Sequence, residues 1–167
     1  METTYIIFFV SILLASIILF YFILKPANKK KTNSAYLDAL NAMLLSDKKK
    51  AIKLLSNVVK NDSNHINAYL QLGNLLRDEE ADRAIKIHQM LTFRQNAPKN
   101  TKIEILKSLS LDYETINDFP KAKIEAEKIL ELDKSNRWAN LFLLSIAEKI
   151  NDWDYAEKKA KDLTKFK

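Results

Sequence analysis

Four copies of one short pattern, each built around an alanine, recur through most of the chain. They are KKKAIKLL around Ala51, ADRAIKIH around Ala84, FPKAKIEA around Ala122 and WDYAEKKA around Ala156. The alanines are 33, 38 and 34 positions apart. A period of this length is typical of helical units that stack, because a single helix pair cannot bury its apolar stripe alone. The pattern therefore predicts an array of similar helix pairs with one continuous core.

Each unit is predicted to contain two helices separated by short polar residues. Asn, Asp and Ser occupy the breaks, where they cap helix starts. The period matches the 34 residues of the tetratricopeptide repeat (TPR), with one residue lost in the second unit and four added in the loop Arg94–Asn100. The predicted first helices are 34–45, 65–78, 101–115 and 136–149, and the second helices are 48–60, 81–93, 119–132 and 153–165.

The composition supports an all-helical chain and excludes several kinds of site. The 167 residues include one glycine, three prolines and no cysteine. Glycine-rich turns and phosphate-binding loops cannot be built, and neither can disulfides or thiolate metal sites. The single glycine, Gly73, lies mid-helix, where glycine is unfavourable. We expect it where the two helices of a unit approach most closely; the equivalent positions are Ala39, Ser110 and Leu144.

An uncharged apolar segment precedes the repeats. Residues 5–24 contain no charged side chain, and a helix of that length spans about 30 Å, the thickness of a bilayer core. A cleaved signal peptide is the alternative, but the segment has no basic start and no small-residue cleavage site. We predict a transmembrane anchor at 1–24, a basic juxtamembrane linker at 25–33 and a TPR-like domain at 34–167. The fold class is thus all-α: one N-terminal transmembrane helix followed by a right-handed TPR-like solenoid of about four helix pairs.

Charge asymmetry predicts the orientation of this anchor. The basic residues that flank the membrane are Lys25, Lys29, Lys30 and Lys31, whereas no Lys or Arg precedes the segment. The positive-inside rule places the N-terminus outside and the repeats in the cytoplasm. Ser11 and Ala15 form a small-residue pair that would permit helix pairing, so homo-oligomerisation stays open. The net charge of +6 is too small and too scattered to predict nucleic-acid binding.

No constellation of residues predicts catalysis, a metal site or a cofactor. The two histidines, His65 and His88, lack metal-ligand spacing, and we interpret His88 as a structural residue at a helix interface. Binding along the first helices is the remaining function. Asn74 and Arg77 are the strongest candidates, since an amide can clamp a peptide backbone and a guanidinium can grip a carboxylate. The predicted partner-binding residues are Asn67, Leu70, Asn74, Arg77, Glu104, Lys107 and Trp138. Trp138 and Trp153 are both expected to pack within the last unit.

Several segments together resemble the lipopolysaccharide assembly protein B family. They are YLDALNAMLLSDKKKAIKLL, AYLQLGNLLRDEEADRAIKIHQ, the long gap before SLDYE, and AEKINDWDYAEK. LGNLLR followed by DRAIKIHQ is the most specific stretch. The resemblance implies an N-terminal anchor and cytoplasmic TPR units in an adaptor that regulates lipopolysaccharide synthesis. It also implies a membrane-bound AAA+ protease and a lipid A biosynthesis enzyme as partners.

The chain departs from this family in two ways. It contains four repeat units and lacks the cysteine-based metal knuckle, so we expect either a fragment or a reduced relative. The glycine usual in the turn of the second unit is also missing. Two alternatives stay open: a TPR scaffold of another envelope complex, serving secretion, division or cytochrome maturation, and a subunit that anchors a separate enzyme. We do not expect the chain to be an enzyme itself.

Overall fold

The computed structural model describes the backbone of residues 2–165 and the side chains of residues 5, 7–21 and 32–164. One prediction concerns side chains outside the described residues, namely that the membrane is flanked by Lys25, Lys29, Lys30 and Lys31. All regular structure in the described part is α-helical, which confirms the all-α prediction. Its eight helices are α1 (Glu2–Leu44), α2 (Lys48–Asn61), α3 (Ile66–Leu76), α4 (Ala81–Thr92), α5 (Lys99–Thr115), α6 (Phe119–Leu132), α7 (Arg137–Lys149) and α8 (Trp153–Lys165).

The chain divides after His65 into two compact units. In the first unit, the C-terminal part of α1 packs against α2. In the second, each helix from α3 to α8 packs against the next, and α3 also contacts α5. The predicted helix ends agree with the observed ends to within about two residues, except that α1 runs without a break from Glu2, so no helix starts at residue 34 and the backbone of the predicted linker at 25–33 is helical. The long connection between α4 and α5 lies where the four extra residues were expected, although α5 begins at Lys99, inside the predicted loop.

Three of the four turns within helix pairs are built in the same way. Ser46, Asn117 and Asn151 have φ values of 58°, 60° and 58°, the left-handed conformation that ends a helix. An aspartate follows each of them, and its carboxylate accepts a backbone N–H in the first turn of the next helix. The second pair differs because Glu80 precedes α4 without a side-chain cap. This is the unit in which the sequence is one residue short.

The core of the second unit comes from alternating contributions of first and second helices. One buried cluster joins α4 to α7 through residues that include Leu109, Ala126 and Leu143, and a smaller one joins Leu70, Leu91 and Ile105. The close-packing positions predicted from Gly73 are fully buried at Ala39 and Ser110. Leu144 is only half-buried, and its neighbour Leu143 is the buried residue, so the fourth pair does not repeat this feature.

The apolar segment at the start of α1 packs against no other part of the described chain. Every described side chain from Tyr5 to Tyr21 is exposed. The hydroxyls of Ser11 and Ser16 each donate to a carbonyl of their own helix at 2.7 Å, as expected for serines in an apolar helix. Among the residues whose side chains are described, no helix has the length and apolarity needed to cross a membrane.

Candidate partner-binding surface

A buried polar network lies where α3, α4 and α5 meet. The His88 side chain, from α4, has no solvent exposure, and its ring fills the space beside Gly73 of α3. A Cβ atom at Gly73 would lie 2.4 Å from His88 Nε2 and 2.6 Å from Cε1, far inside van der Waals contact. The glycine predicted to permit close approach therefore does so, but what approaches it is an imidazole ring.

Both nitrogens of this ring face oxygen atoms. Nε2 lies 3.2 Å from the backbone oxygen of Leu70, and Nδ1 lies 2.5 Å from Asp112 Oδ2. Because a carbonyl oxygen only accepts, Nε2 must carry a proton, and a second proton lies in the hydrogen bond between Nδ1 and the carboxylate. His88 is thus a satisfied structural residue, which confirms its interpretation from sequence.

Asp112 connects the histidine to Arg77. The carboxylate is fully buried, and its Oδ1 accepts from Arg77 Nε at 2.7 Å. Arg77 also donates to the backbone oxygen of Ser108 at 3.2 Å and to Asn74 Oδ1 at 2.7 Å. A buried carboxylate is tolerated only when charges and hydrogen bonds surround it, and here both kinds are supplied. The network therefore locks the second helix pair to the first helix of the third.

This network changes what Arg77 and Asn74 can offer to a partner. Arg77 grips a carboxylate, as its chemistry suggests, but the carboxylate belongs to Asp112 of the same chain. The side chain is 17% exposed and is largely committed inside the protein. The oxygen of the half-exposed Asn74 amide likewise accepts from Arg77, so it is already engaged within the chain.

The other predicted residues of the first helices differ in exposure. Asn67 and Glu104 are exposed, and Lys107 and Trp138 are half-buried. Leu70 is the exception: it is buried against Leu91 and Ile105, so it contributes to the core and not to a binding surface. Its side chain packs in the core, and its backbone oxygen lies within hydrogen-bond distance of His88 Nε2.

A mixed apolar and charged patch lies on α5 and α7. The Trp138 ring stacks on Phe142 with centroids 4.9 Å apart, and Lys107 Nζ lies 5.3 Å above the indole. Lys149 of α7 pairs with Glu114 of α5 at 2.5 Å, and Leu141 is exposed. We call Asn67, Asn74, Glu104, Lys107, Trp138 and Leu141 the first-helix face. It offers aromatic, aliphatic, amide and charged groups, the mixture that protein-binding surfaces use.

Trp153 does not follow its prediction. It lies at the start of α8 and is 63% exposed, so the expectation that it packs within the last unit is wrong. Trp138, in contrast, packs against the main cluster as expected. A side chain in the first turn of a helix can be exposed when later residues of the same helix pack into the core. In α8, Tyr155 and Ala156 are the residues that do so.

Asp112 and Ser108 are the important residues that sequence reasoning missed. Both lie on the buried side of α5, in phase with Ile105 and Leu109. An aspartate on an apolar stripe is a usable signal, because burial of a carboxylate requires a specific cationic partner. In the part of the chain that the structure describes, no cluster of three or more His, Cys, Asp or Glu side chains is arranged to hold a metal ion.

Comparison with known proteins confirms the resemblance and the repeat fold. No family model matches the chain. It is similar to lipopolysaccharide assembly protein B from Escherichia coli strain K12, with 27% identity over 143 residues, and from Haemophilus influenzae, with 29% over 148. These matches cover 85% and 82% of this chain but 37% of each relative, so the chain spans little more than a third of their length.

Solved structures establish the fold alone. A tetratricopeptide repeat protein from Parabacteroides merdae superposes with a TM-score of 0.71 at 12% identity, covering 81% of this chain and 53% of that one. MamA from Desulfovibrio magneticus gives a TM-score of 0.65 at 18% identity and covers 81% and 73%. The described helices are therefore those of a TPR-type solenoid.

Proposed function

We propose, from the similarity to lipopolysaccharide assembly protein B, that this chain is a membrane-anchored TPR adaptor. It binds proteins at the cytoplasmic face of the inner membrane and acts in lipopolysaccharide synthesis or assembly. The observation that carries the proposal is the similarity over 85% of the chain. The absence of an apparent catalytic constellation in the sequence agrees with a binding role.

The proposed anchor is supported by the composition and exposure of its segment. The run from Tyr5 to Leu24 is uncharged. Its described side chains, mostly Ile, Leu and Phe, are exposed over all faces of α1. Exposure of such a helix to water costs roughly 25 cal/mol of free energy per Å² of apolar surface, whereas the hydrocarbon core of a bilayer accommodates it. The lysines that follow it in the sequence favour a cytoplasmic location for the repeats.

The anchor can be tested directly because the chain lacks cysteine. Single cysteines introduced at Thr4 and Asn67 would be probed in intact cells with a membrane-impermeant maleimide. We expect labelling at position 4 and none at position 67 until the inner membrane is opened. Equal labelling of both positions, or recovery of the chain without membranes, would contradict the anchor.

The first-helix face is the surface on which we propose that partners bind. Its exposed ionic side chains, such as Glu104, can steer a charged partner, and Trp138 with Leu141 gives an apolar centre. The resemblance suggests a membrane-bound AAA+ protease and a lipid A biosynthesis enzyme as the partners. Both partner assignments are proposals.

Affinity capture of the full chain from mild-detergent extracts tests the proposal. We expect wild type to recover the protease or the lipid A enzyme, and a Glu104→Lys/Lys107→Glu double variant to recover much less. Glu131→Lys is the matched control, because Glu131 is exposed and belongs to α6, which contributes no residue to this face. Recovery of neither protein, together with unchanged lipopolysaccharide levels after deletion of the gene, would favour a scaffold of another envelope complex.

A further inference from the structure

Arg77 and Asn74 retain hydrogen-bond donors that the buried network does not use. The guanidinium donates from Nε to Asp112 and from Nη2 to Asn74 and to the backbone oxygen of Ser108. Its third nitrogen, Nη1, has no acceptor among the described residues. Asn74 accepts from Arg77 through Oδ1, and its Nδ2 has no acceptor in the same part of the chain. We call Arg77 Nη1 and Asn74 Nδ2 the donor cluster.

Both nitrogens of the donor cluster are accessible from solvent. Within the described part of the chain, the one enclosed side-chain nitrogen or oxygen that lacks a hydrogen-bond partner is Oε2 of Glu125. Arg77 Nη1 and Asn74 Nδ2 also lack a partner but are not enclosed, so each of them reaches the surface. The bond of 2.7 Å from Arg77 Nη2 to Asn74 Oδ1 holds the two side chains together. A bound group can therefore meet both nitrogens at once.

The donor cluster also carries a positive charge that its surroundings do not cancel. A proton lies between His88 Nδ1 and Asp112 Oδ2, because two lone pairs would not approach to 2.5 Å without one. With the other proton on Nε2, the pair of His88 and Asp112 is neutral as a whole. No second carboxylate of the described residues, including the exposed acids at 78–80, forms an ion pair with Arg77. On α5, Glu104 is paired with Lys107 at 3.9 Å. The cluster therefore favours an anionic acceptor over a neutral one.

We propose that the donor cluster binds the side-chain carboxylate of a glutamate in a segment of the partner protein. An ionised carboxylate only accepts, and its two oxygens can take N–H groups from both nitrogens. Because the Arg77 side chain is 17% exposed, the acceptor must reach it on a slender stem. A glutamate carboxylate has such a stem, whereas a terminal carboxylate is attached directly to the main chain. The proposal rests on the proposed adaptor function and gives the chemistry of one contact on its binding surface.

The test uses the full chain in detergent micelles, with the side-chain nitrogens of arginine and asparagine isotopically labelled for NMR. The probe is the α-amide of N-acetyl-glutamic acid, which carries a side-chain carboxylate alone. One control, N-acetyl-glutaminamide, has no carboxylate, and the other, N-acetyl-glutamine, has a terminal carboxylate alone. We expect the probe to give saturable shifts at the N–H signals of Arg77 and Asn74. Both controls should bind roughly tenfold or more weakly, the size of one charge-assisted hydrogen bond.

An Asn74→Asp variant blocks the site without removing its support. The new carboxylate still accepts from Arg77 Nη2, but it removes the Nδ2 donor and balances the guanidinium. We expect loss of probe binding with a thermal midpoint that is unchanged or raised. Asn96→Asp is the matched control, the same change at an exposed position between α4 and α5, and should alter binding by less than about twofold. Should Asn74→Asp be destabilised, Asn74→Ala replaces it, with a smaller loss of binding expected because no charge is added.

Three results would overturn the proposal: equal binding of N-acetyl-glutaminamide, unchanged probe binding in Asn74→Asp, and the absence of shifts at Arg77. Binding of N-acetyl-glutamine as strong as that of the probe would overturn the assignment to a side chain and make the ligand a chain terminus.

Affinity capture separates this proposal from the adaptor function. If wild type recovers its partners but does not bind the probe, the carboxylate site is wrong and the adaptor function stands. If the probe binds and no partner is recovered, the adaptor function fails and the site stands. When both hold, Asn74→Asp should recover less partner than Asn96→Asp.

Discussion

A Gly73→Ala substitution sets two opposite effects against each other. Alanine in a helix is more favourable than glycine by about 0.5–1 kcal/mol. The added Cβ, however, would lie 2.4 Å from His88 Nε2, in a ring held by hydrogen bonds to Asp112 and to the backbone of Leu70. Overpacking of this kind typically costs about 1–3 kcal/mol. Since the ring cannot move without breaking one of those bonds, we expect a net loss of about 1–2 kcal/mol in the free energy of unfolding.

A double-mutant cycle with His88→Ala tests this expectation, with urea unfolding of the full chain in detergent followed by circular dichroism. His88→Ala alone should be strongly destabilising, because it leaves a cavity and removes one of the hydrogen-bond partners of the buried Asp112 carboxylate, which keeps only Arg77. In that background the clash is absent, so Gly73→Ala should stabilise by about 0.5–1 kcal/mol. The sign of the glycine effect should therefore reverse. A stabilising Gly73→Ala in the wild-type background would refute the close approach of ring and glycine.

Three further predictions concern the network and the helix turns. Asp112→Asn should lower the free energy of unfolding by about 3–5 kcal/mol, because it leaves the Arg77 guanidinium without its buried partner. In the same urea titration, the control Glu104→Gln at an exposed position should change the free energy of unfolding by less than about 0.5 kcal/mol. Asn117→Ala, at φ 60°, should lower the thermal midpoint, with a cost of about 1 kcal/mol, while Asn117→Gly should not. The hydrogen bond from Lys121 lowers the pKa of Asp118, so its stabilisation should be complete above the unfolded pKa near 3.9 and lost as pH falls through the lower folded value. Asp118→Asn should remove that part of the acid sensitivity in stability-against-pH curves, and an identical acid limb in both proteins would contradict it.

The helices were predictable because their signals are local. A left-handed residue followed by a capping aspartate ends one helix and starts the next, and both residues are adjacent in sequence. The second pair shows where such signals weaken: without a side-chain cap at Glu80, only the spacing of the repeats marked its turn. Leu70 and Trp153 were misjudged because their exposure depends on how neighbouring helices close the core, which a repeat template does not specify.

The chemistry of the candidate surface depended on contacts between residues far apart in the chain. Arg77 and Asp112 are 35 positions apart, and neither residue alone shows that the guanidinium is committed to an internal carboxylate. Periodicity can place a polar residue on a buried stripe, but it cannot identify the partner that makes its burial tolerable.

The sequence by itself determined that this protein is a helical array preceded by an uncharged apolar segment, because repeat period, caps and hydropathy act over a few residues at a time. The tertiary structure decided what the unusual glycine and histidine are for. Gly73 and His88 lie in the stretch that most clearly resembles lipopolysaccharide assembly protein B, and they meet across two helices at a distance that only packing sets. With Asp112 and Arg77 they form a buried joint between repeats, since a carboxylate inside a core requires a cation and hydrogen-bond partners around it.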